Sequence, residues 1–576
     1  MRHDKSFFHL LPFLAVIACA PPSQDVTQEV DFVIRNGALY DGSGQPPVAG
    51  GVAIDDGRIV AVGDVAGFSG RDEIDAGGLA VAPGFINVLS WATETLIEDG
   101  RGLSDVRQGV TLEIFGEGWS MGPLNEAMRQ ESIEEQSHMK YDIPWTTLGE
   151  YLEHLAERGV AVNVASFMGA TTARIHEIGY EDRPPTAEEL KRMQDLVRQA
   201  MEEGALGIGS SLIYSPAFYA DTDELVALTA VAAEYGGGYV SHLRSEGGRL
   251  LESLDELIHI ARETGAHAEV YHLKAAGQSN WPKMDEAIAR IEAARAEGLN
   301  VTADMYLYTA GATGLDAAMP PWVQEGGHDA WVERLKDPAV RKRLQKEMTT
   351  PTDDWENLYL AAGSGENLLL IDFKNEDLKG LIGRTVAEVA AERGTSEVET
   401  MMDLVIEDDS RVGTVYFMMS EENIRRQVQL PWMSFGSDAE ASAPEGVFLK
   451  WNPHPRAYGN FARLLGHYVR DEGLVPLEDA IRRLTSLPAE NWKLRDRGAL
   501  KKGYHADVVV FDPATVQDHA TFEEPHQLAT GVLHVLVNGE PVLRNSEPTG
   551  AMPGEVVRGP GWTGWPEQES VRPLDP

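Results

Sequence analysis

Between residues 82 and 438, short apolar runs alternate with stretches of helical periodicity. The runs at 84–88, 111–117, 160–167, 205–210, 238–242, 268–273, 300–306 and 432–438 predict eight strands. Helical patterns separate most of them. Thr186 and Glu189 have capping-box spacing ahead of the helical run 190–204, and 222–234 and 284–297 carry helical periodicity ending near glycines. Eight strands alternating with helices predict an α/β protein built on a (β/α)8 TIM-type barrel. The connection between the seventh and eighth strands, about 314–431, is far longer than one helix requires. It contains at least two helical patterns, near 329–348 and 397–406, and reads as an inserted subdomain at about 318–428, placed to serve as a lid.

The two ends of the chain share a different grammar. Residues 31–37 form a strand run into a turn, and 51–62 form two strand runs around an Asp56-Gly57 hairpin signal. Residues 505–513 and 532–539 repeat it. These ends predict one small β-sandwich made from both, 30–81 and 496–548, flanking a barrel at 82–495. The tail 549–576 is rich in Gly, Pro and Trp and has little periodicity.

The first residues differ again. A charged start, MRHDK, precedes an apolar run of 11 residues and then small residues, the signature of a signal peptide over 1–18. Val16-Ile17-Ala18-Cys19 resembles a bacterial lipobox, whose Cys is lipidated after cleavage; the alternative is plain cleavage near Ala20. Residues 19–29 read as a tether. The expectation is an exported protein, periplasmic or a cell-envelope lipoprotein, touching membrane only through a lipid anchor at Cys19.

Composition narrows the chemistry. The 576 residues include 91 Asp+Glu against 49 Lys+Arg, a formal charge of −42 that repels phosphate backbones and argues against nucleic-acid binding. The single Cys removes intramolecular disulfides and Cys-cluster metal sites.

In a barrel, catalytic groups stand at the carboxyl ends of strands. Here those ends carry Glu117, His242, His272, Tyr306 and Asp438. Two imidazoles and two carboxylates converging on one axis suit a zinc-like divalent ion, which takes nitrogen and oxygen ligands. For Glu117 a capped turn or an ion pair is the plain alternative. His259 and His267 read as structural, and His454 is close enough to Arg456 to enter the site.

The motifs Ala82-Pro83-Gly84-Phe85-Ile86, Gln108-Gly109-Val110-Thr111, Gly118-Trp119-Ser120-Met121-Gly122-Pro123, Ser241-His242-Leu243-Arg244-Ser245-Glu246, Tyr271-His272-Leu273-Lys274, Asp304-Met305-Tyr306, Phe435-Gly436-Ser437-Asp438 and His454-Pro455-Arg456 follow one another in order. This run resembles the amidohydrolase superfamily and, within it, the N-acyl-D-amino-acid deacylases. The resemblance implies that His242 and His272 bind metal, that Asp438 is a metal ligand and general base, and that Lys274, Tyr306 and Arg456 bind a substrate carboxylate. Two departures stand out. The family's first strand ends in Asp-x-His-x-His, where this chain has Asn87-Val88-Leu89-Ser90-Trp91, and the family's Cys after the second strand falls on Glu117. Leu89 and Trp91 cannot bind a hard cation, so one divalent ion, zinc, is expected, with Glu117 ligating in place of the thiolate.

The expected activity is amide C–N hydrolysis of small N-acyl-(D-)amino acids. The alternatives are a hydrolase of cyclic amides or dipeptides, or a degenerate barrel that only binds a small molecule. The sequence leaves acyl and side-chain preference, stereochemistry, metal identity, binding of a second metal and oligomeric state open.

Overall fold

The computed structural model describes Met1 and residues 27–564. The expected signal peptide beyond Met1, Cys19 and most of the expected tether therefore lie outside the described residues. The described chain is mixed α/β, built on parallel strands. One parallel sheet has the order Phe85–Asn87, Val110–Phe115, Asn163–Ser166. A second runs Met433–Phe435, Val301–Met305, Ala268–Val270, Gly238–His242, Gly207–Ser211, Met168–Gly169. The sheets meet at two seams. Asn163–Ser166 continues almost directly into Met168–Gly169, and Ser90 makes a parallel bridge to Ala439.

These strands are short and fully buried because both faces are covered. Tyr239 packs into the cluster that includes the surrounding helices, while its neighbour Val240 packs with Ile86, Ile114 and Phe167 on the other face. The outer helices start where the sequence indicates. Thr186 accepts from the Glu189 amide, and the Glu189 carboxylate reaches back to the Thr186 amide, opening the helix Ala187–Glu202.

Both chain ends contribute to one nine-stranded sheet. Val508–Phe511 pairs antiparallel with Ala80–Pro83, joining the carboxyl-terminal strands to Gln28–Leu39 and Val48–Asp55. Residues 310–417 form a further three-stranded antiparallel sheet, order Ala310–Gly314, Gly413–Phe417, Leu368–Asp372. This segment has its own apolar cluster, around Leu335, Leu344, Met348, Met401, Leu404 and Tyr416. The helical run near 329–348 is two helices, His328–Leu335 and Pro338–Met348, because Pro338 starts a helix and cannot continue one.

Candidate active site

Glu117, His242, His272 and Asp438 stand just beyond, or at the end of, four different parallel strands. The chain reaches Glu117 through two left-handed glycines, Gly116 (φ 108°) and Gly118 (φ 75°). A Cβ on Gly118 would sit 2.6 Å from the Ser211 Cβ, so only glycine permits this approach. The sixth strand stops at Val270, earlier than its apolar run indicates, because the chain turns at His272 with φ 36°. Asp438 also holds a positive φ, 49°. Non-glycine residues in this region carry backbone strain, and such strain persists where the surroundings over-determine it. Here the His272 amide donates to Asp304 Oδ1 (3.0 Å), and the Asp438 amide donates to the Leu89 carbonyl (2.9 Å).

The side chains converge. Glu117 Oε1 lies 3.1 Å from His242 Nδ1 and 2.9 Å from His272 Nε2. One ligand atom from each of the three falls within 4.8 Å of the others, and all three residues are buried. Burial by itself pushes the Glu117 carboxyl up, but the His272 and His242 imidazoles outweigh it and hold the group well below its ordinary range. Burial, and after it the Lys274 charge, push the His272 imidazolium toward its neutral form. The Glu117 and Glu246 carboxylates outweigh both and hold it up at about 10. The cluster thus favours positive charge at its centre. His242 Nε2, on the far side of the ring, makes no hydrogen bond and lies 3.5 Å from Glu246 Oε2. Two imidazoles and one carboxylate oxygen in this arrangement fit a divalent cation of the zinc type.

Of the expected carboxylate binders, Arg456 is the best placed. Its Nη1 lies 2.8 Å from Asp438 Oδ2, its guanidinium covers the Tyr306 ring at 4.4 Å, and its Nε is buried with no hydrogen-bond partner. Burial pushes the Asp438 carboxyl up, and the Arg456 charge pulls it down less strongly. Tyr306 is buried beneath both cations, with Lys274 Nζ 5.6 Å from its ring. Lys274 is already engaged, donating to Glu246 Oε1 (2.6 Å) and lying 2.7 Å from His272 Nδ1. His454 is a buried brace: its Nε2 donates to the Ala310 carbonyl (3.0 Å), and its Nδ1 accepts from the Arg456 amide (3.0 Å). His267 pairs with Thr302 Oγ1 (2.8 Å), and burial pushes it down to about 3.

Two residues join the site without having been assigned to it. Glu246 faces both imidazoles, Oε1 3.1 Å from His272 Nδ1 and Oε2 3.5 Å from His242 Nε2. Its four-residue spacing from His242 is a signal, but that spacing implies contact only on a helix, and here a loop makes it. Trp91 Nε1 donates to Glu117 Oε2 (3.0 Å) and Asp438 Oδ1 (3.1 Å). Nothing in sequence spacing points to that bridge.

The model of one protein family, described as the amidohydrolase family, matches residues 72–543. The chain is 34% identical over 539 residues to a D-aminoacylase from Alcaligenes xylosoxydans xylosoxydans, covering 93% of this chain and 99% of the relative. Two solved structures are also similar. One, a D-aminoacylase studied for its binuclear metal centre, with one-metal activation and second-metal attenuation, is 32% identical with a TM-score of 0.75, covering 92% of this chain and 100% of its own. The other, an N-acyl-D-glutamate deacylase from Bordetella bronchiseptica complexed with zinc and a phosphonate mimic of the tetrahedral intermediate, is 30% identical with a TM-score of 0.76 and the same coverage. The chain belongs to the amidohydrolase family, in the branch of the N-acyl-D-amino-acid deacylases.

Proposed function

We propose that the chain hydrolyses the amide bond of N-acyl-D-amino acids with one divalent ion, zinc, held by Glu117, His242 and His272. The observation that carries this reading is the convergence of that cluster with Asp438 and a buried Arg456 whose Nε is unpartnered. Bound there, the ion supplies Lewis acidity to the attacking water and the scissile carbonyl. Asp438, beside the cluster, accepts the water proton on a carboxylate oxygen and returns it to the leaving nitrogen. Arg456 presents its planar fork to the substrate carboxylate, with Tyr306 beneath it and the remaining Lys274 donor alongside. Glu246 orients the two imidazoles from the side away from Glu117, as carboxylates do for ligating histidines. The products are a carboxylic acid and a D-amino acid.

The two parallel sheets, with their seam at Ser90–Ala439, support a closed eight-stranded barrel. On this reading the nine-stranded sheet is the core of a small β-sandwich spanning 30–81 and 496–548, and the segment inserted between the seventh and eighth strands is the lid. Export through a signal peptide over 1–18, with lipidation at Cys19, is part of the same proposal.

The test is a screen of zinc-loaded protein on matched N-acetyl-D- and N-acetyl-L-amino acids, following release of free amine. The reading expects turnover of D substrates and little of L. A protein that takes up zinc and releases no amine from either series overturns it and leaves a binding barrel.

A further inference from the structure

The indole N–H of Trp91 lies between two carboxylates, 3.0 Å from Glu117 Oε2 and 3.1 Å from Asp438 Oδ1. Trp91 stands where the family pattern has the second histidine of its first-strand pair. We propose that Trp91 is a positioning residue that takes the place of a second cation, bridging Glu117 to Asp438 by hydrogen bonds and keeping the site to one ion. The inference rests on the roles given above to Glu117 and Asp438.

The chemistry of the indole carries the argument. Two buried carboxylates this close repel each other unless something positive lies between them. In a binuclear centre a cation does that work; here the positive end of an N–H dipole does it. An indole nitrogen only donates, so it offers a cation no lone pair. Leu89, where the pattern has the first histidine, is apolar and 1% exposed. Although Trp91 is partly exposed, its backbone is pinned to that of the aspartate. The Trp91 amide donates to the Ala439 carbonyl (2.9 Å), and the Asp438 amide donates to the Leu89 carbonyl (2.9 Å). The indole and the aspartate it contacts are thus tied together through their own backbones.

The oxygens divide accordingly. Glu117 turns Oε1 to the two imidazoles and Oε2 to Trp91. Asp438 turns Oδ2 to Arg456 and Oδ1 to Trp91. Glu117 thus keeps one oxygen for the imidazoles and is oriented through the other, while Asp438 is oriented at both, by Trp91 and by Arg456. Removing the N–H leaves Glu117 held only by the two imidazoles and Asp438 only by Arg456.

Two variants test this, each first checked for folding by its melting transition. Trp91→Phe keeps an aromatic ring and removes only the N–H. The expected result is a kcat about tenfold lower, a KM within about twofold of the parent and zinc content unchanged at one per chain, because orientation of the base is lost while substrate binding is not. Leu89→His with Trp91→His restores the histidine pair, and equilibrium dialysis against zinc should show two ions per chain. Three results overturn the proposal: a parent protein that binds two zinc ions tightly, a Trp91→Phe variant with the parent kcat, or a double variant that still holds one ion. Stoichiometry is read without turnover. An inactive parent therefore overturns the deacylase reading, whereas a second tight ion overturns this one.

Discussion

Arg456 Nη1 lies 2.8 Å from Asp438 Oδ2, so the cation assigned to the substrate touches the carboxylate assigned to the water. The two assignments predict different kinetic damage. Asp438→Asn cannot accept the water proton, and kcat should fall by at least about 10²–10⁴-fold, as for a lost general base. Arg456→Met should raise KM strongly, with a smaller loss of kcat because binding also orients the amide. A substrate analogue with a neutral amide in place of its carboxylate should be poor for the parent and lose little more in Arg456→Met. If the parent turns over the neutral analogue as well as the acid, Arg456 does not read a carboxylate.

Glu117 tests the ligand set. Its Oε1 meets both imidazoles within 3.1 Å, so Glu117→Gln puts a neutral amide where a carboxylate faces the ion. Zinc affinity should fall by more than the roughly 10–100-fold that follows loss of a residue merely orienting a ligand. Competition with a zinc chelator measures it. Unchanged affinity and activity would return Glu117 to an ion pair.

A carboxylate from the inserted segment gives the stability of the fold a pH dependence. Glu356 Oε2 accepts from Ser245 Oγ (2.6 Å) and from the backbone amides of Glu246 (2.9 Å) and Gly247 (3.2 Å), while Oε1 is buried without a partner. Burial, then the Glu246 charge, raise its carboxyl from 4.5 to about 7. The folded chain therefore holds more protons than the unfolded chain between those two values. By linkage, this group costs nothing below about pH 4.5, and stability falls as pH rises toward 7. Glu356→Gln keeps an acceptor for the three donors and removes the titration. Its melting temperature should exceed the parent's at pH 8, by the equivalent of about 1–3 kcal/mol. The gain should shrink at pH 5. An equal gain at both pH values would mean that the carboxylate is solvated.

The proposed lipidation of Cys19 is open to a direct test. If it is lipidated, the mature protein should enter the detergent phase on partitioning, and Cys19→Ser should leave it aqueous or unprocessed. Parent protein found wholly in the aqueous phase would rule out the anchor.

Local pattern determined much of the scaffold. Periodicity located the strands because strands buried on both faces are rich in apolar residues, although buried polar groups such as Glu113, Glu269 and Asp304 interrupt them, and His242 closes its strand at the residue where the apolar run ends. The capping box at Thr186 is legible for the same reason: both of its partners lie within four residues. The identities of Glu117, His242, His272 and Asp438 as strand-end polar groups also followed from position along the chain.

What the sequence could not settle was which of those groups touch. Glu117 meets His272 across 155 positions, and Trp91 meets Asp438 across 347. Loss of the histidine pair was visible in the sequence, but the bridge made by the replacing indole was not, because a side chain's direction depends on the backbone that carries it. Glu356 was invisible as a site neighbour for the same reason, and the spacing of Glu246 from His242 implied contact only on a helix, since loops and not periodic elements bring both in. Periodicity is a property of one strand or helix and its solvent. Contact between strand ends is set by how the sheets meet and the loops pack, and only the tertiary structure decides that.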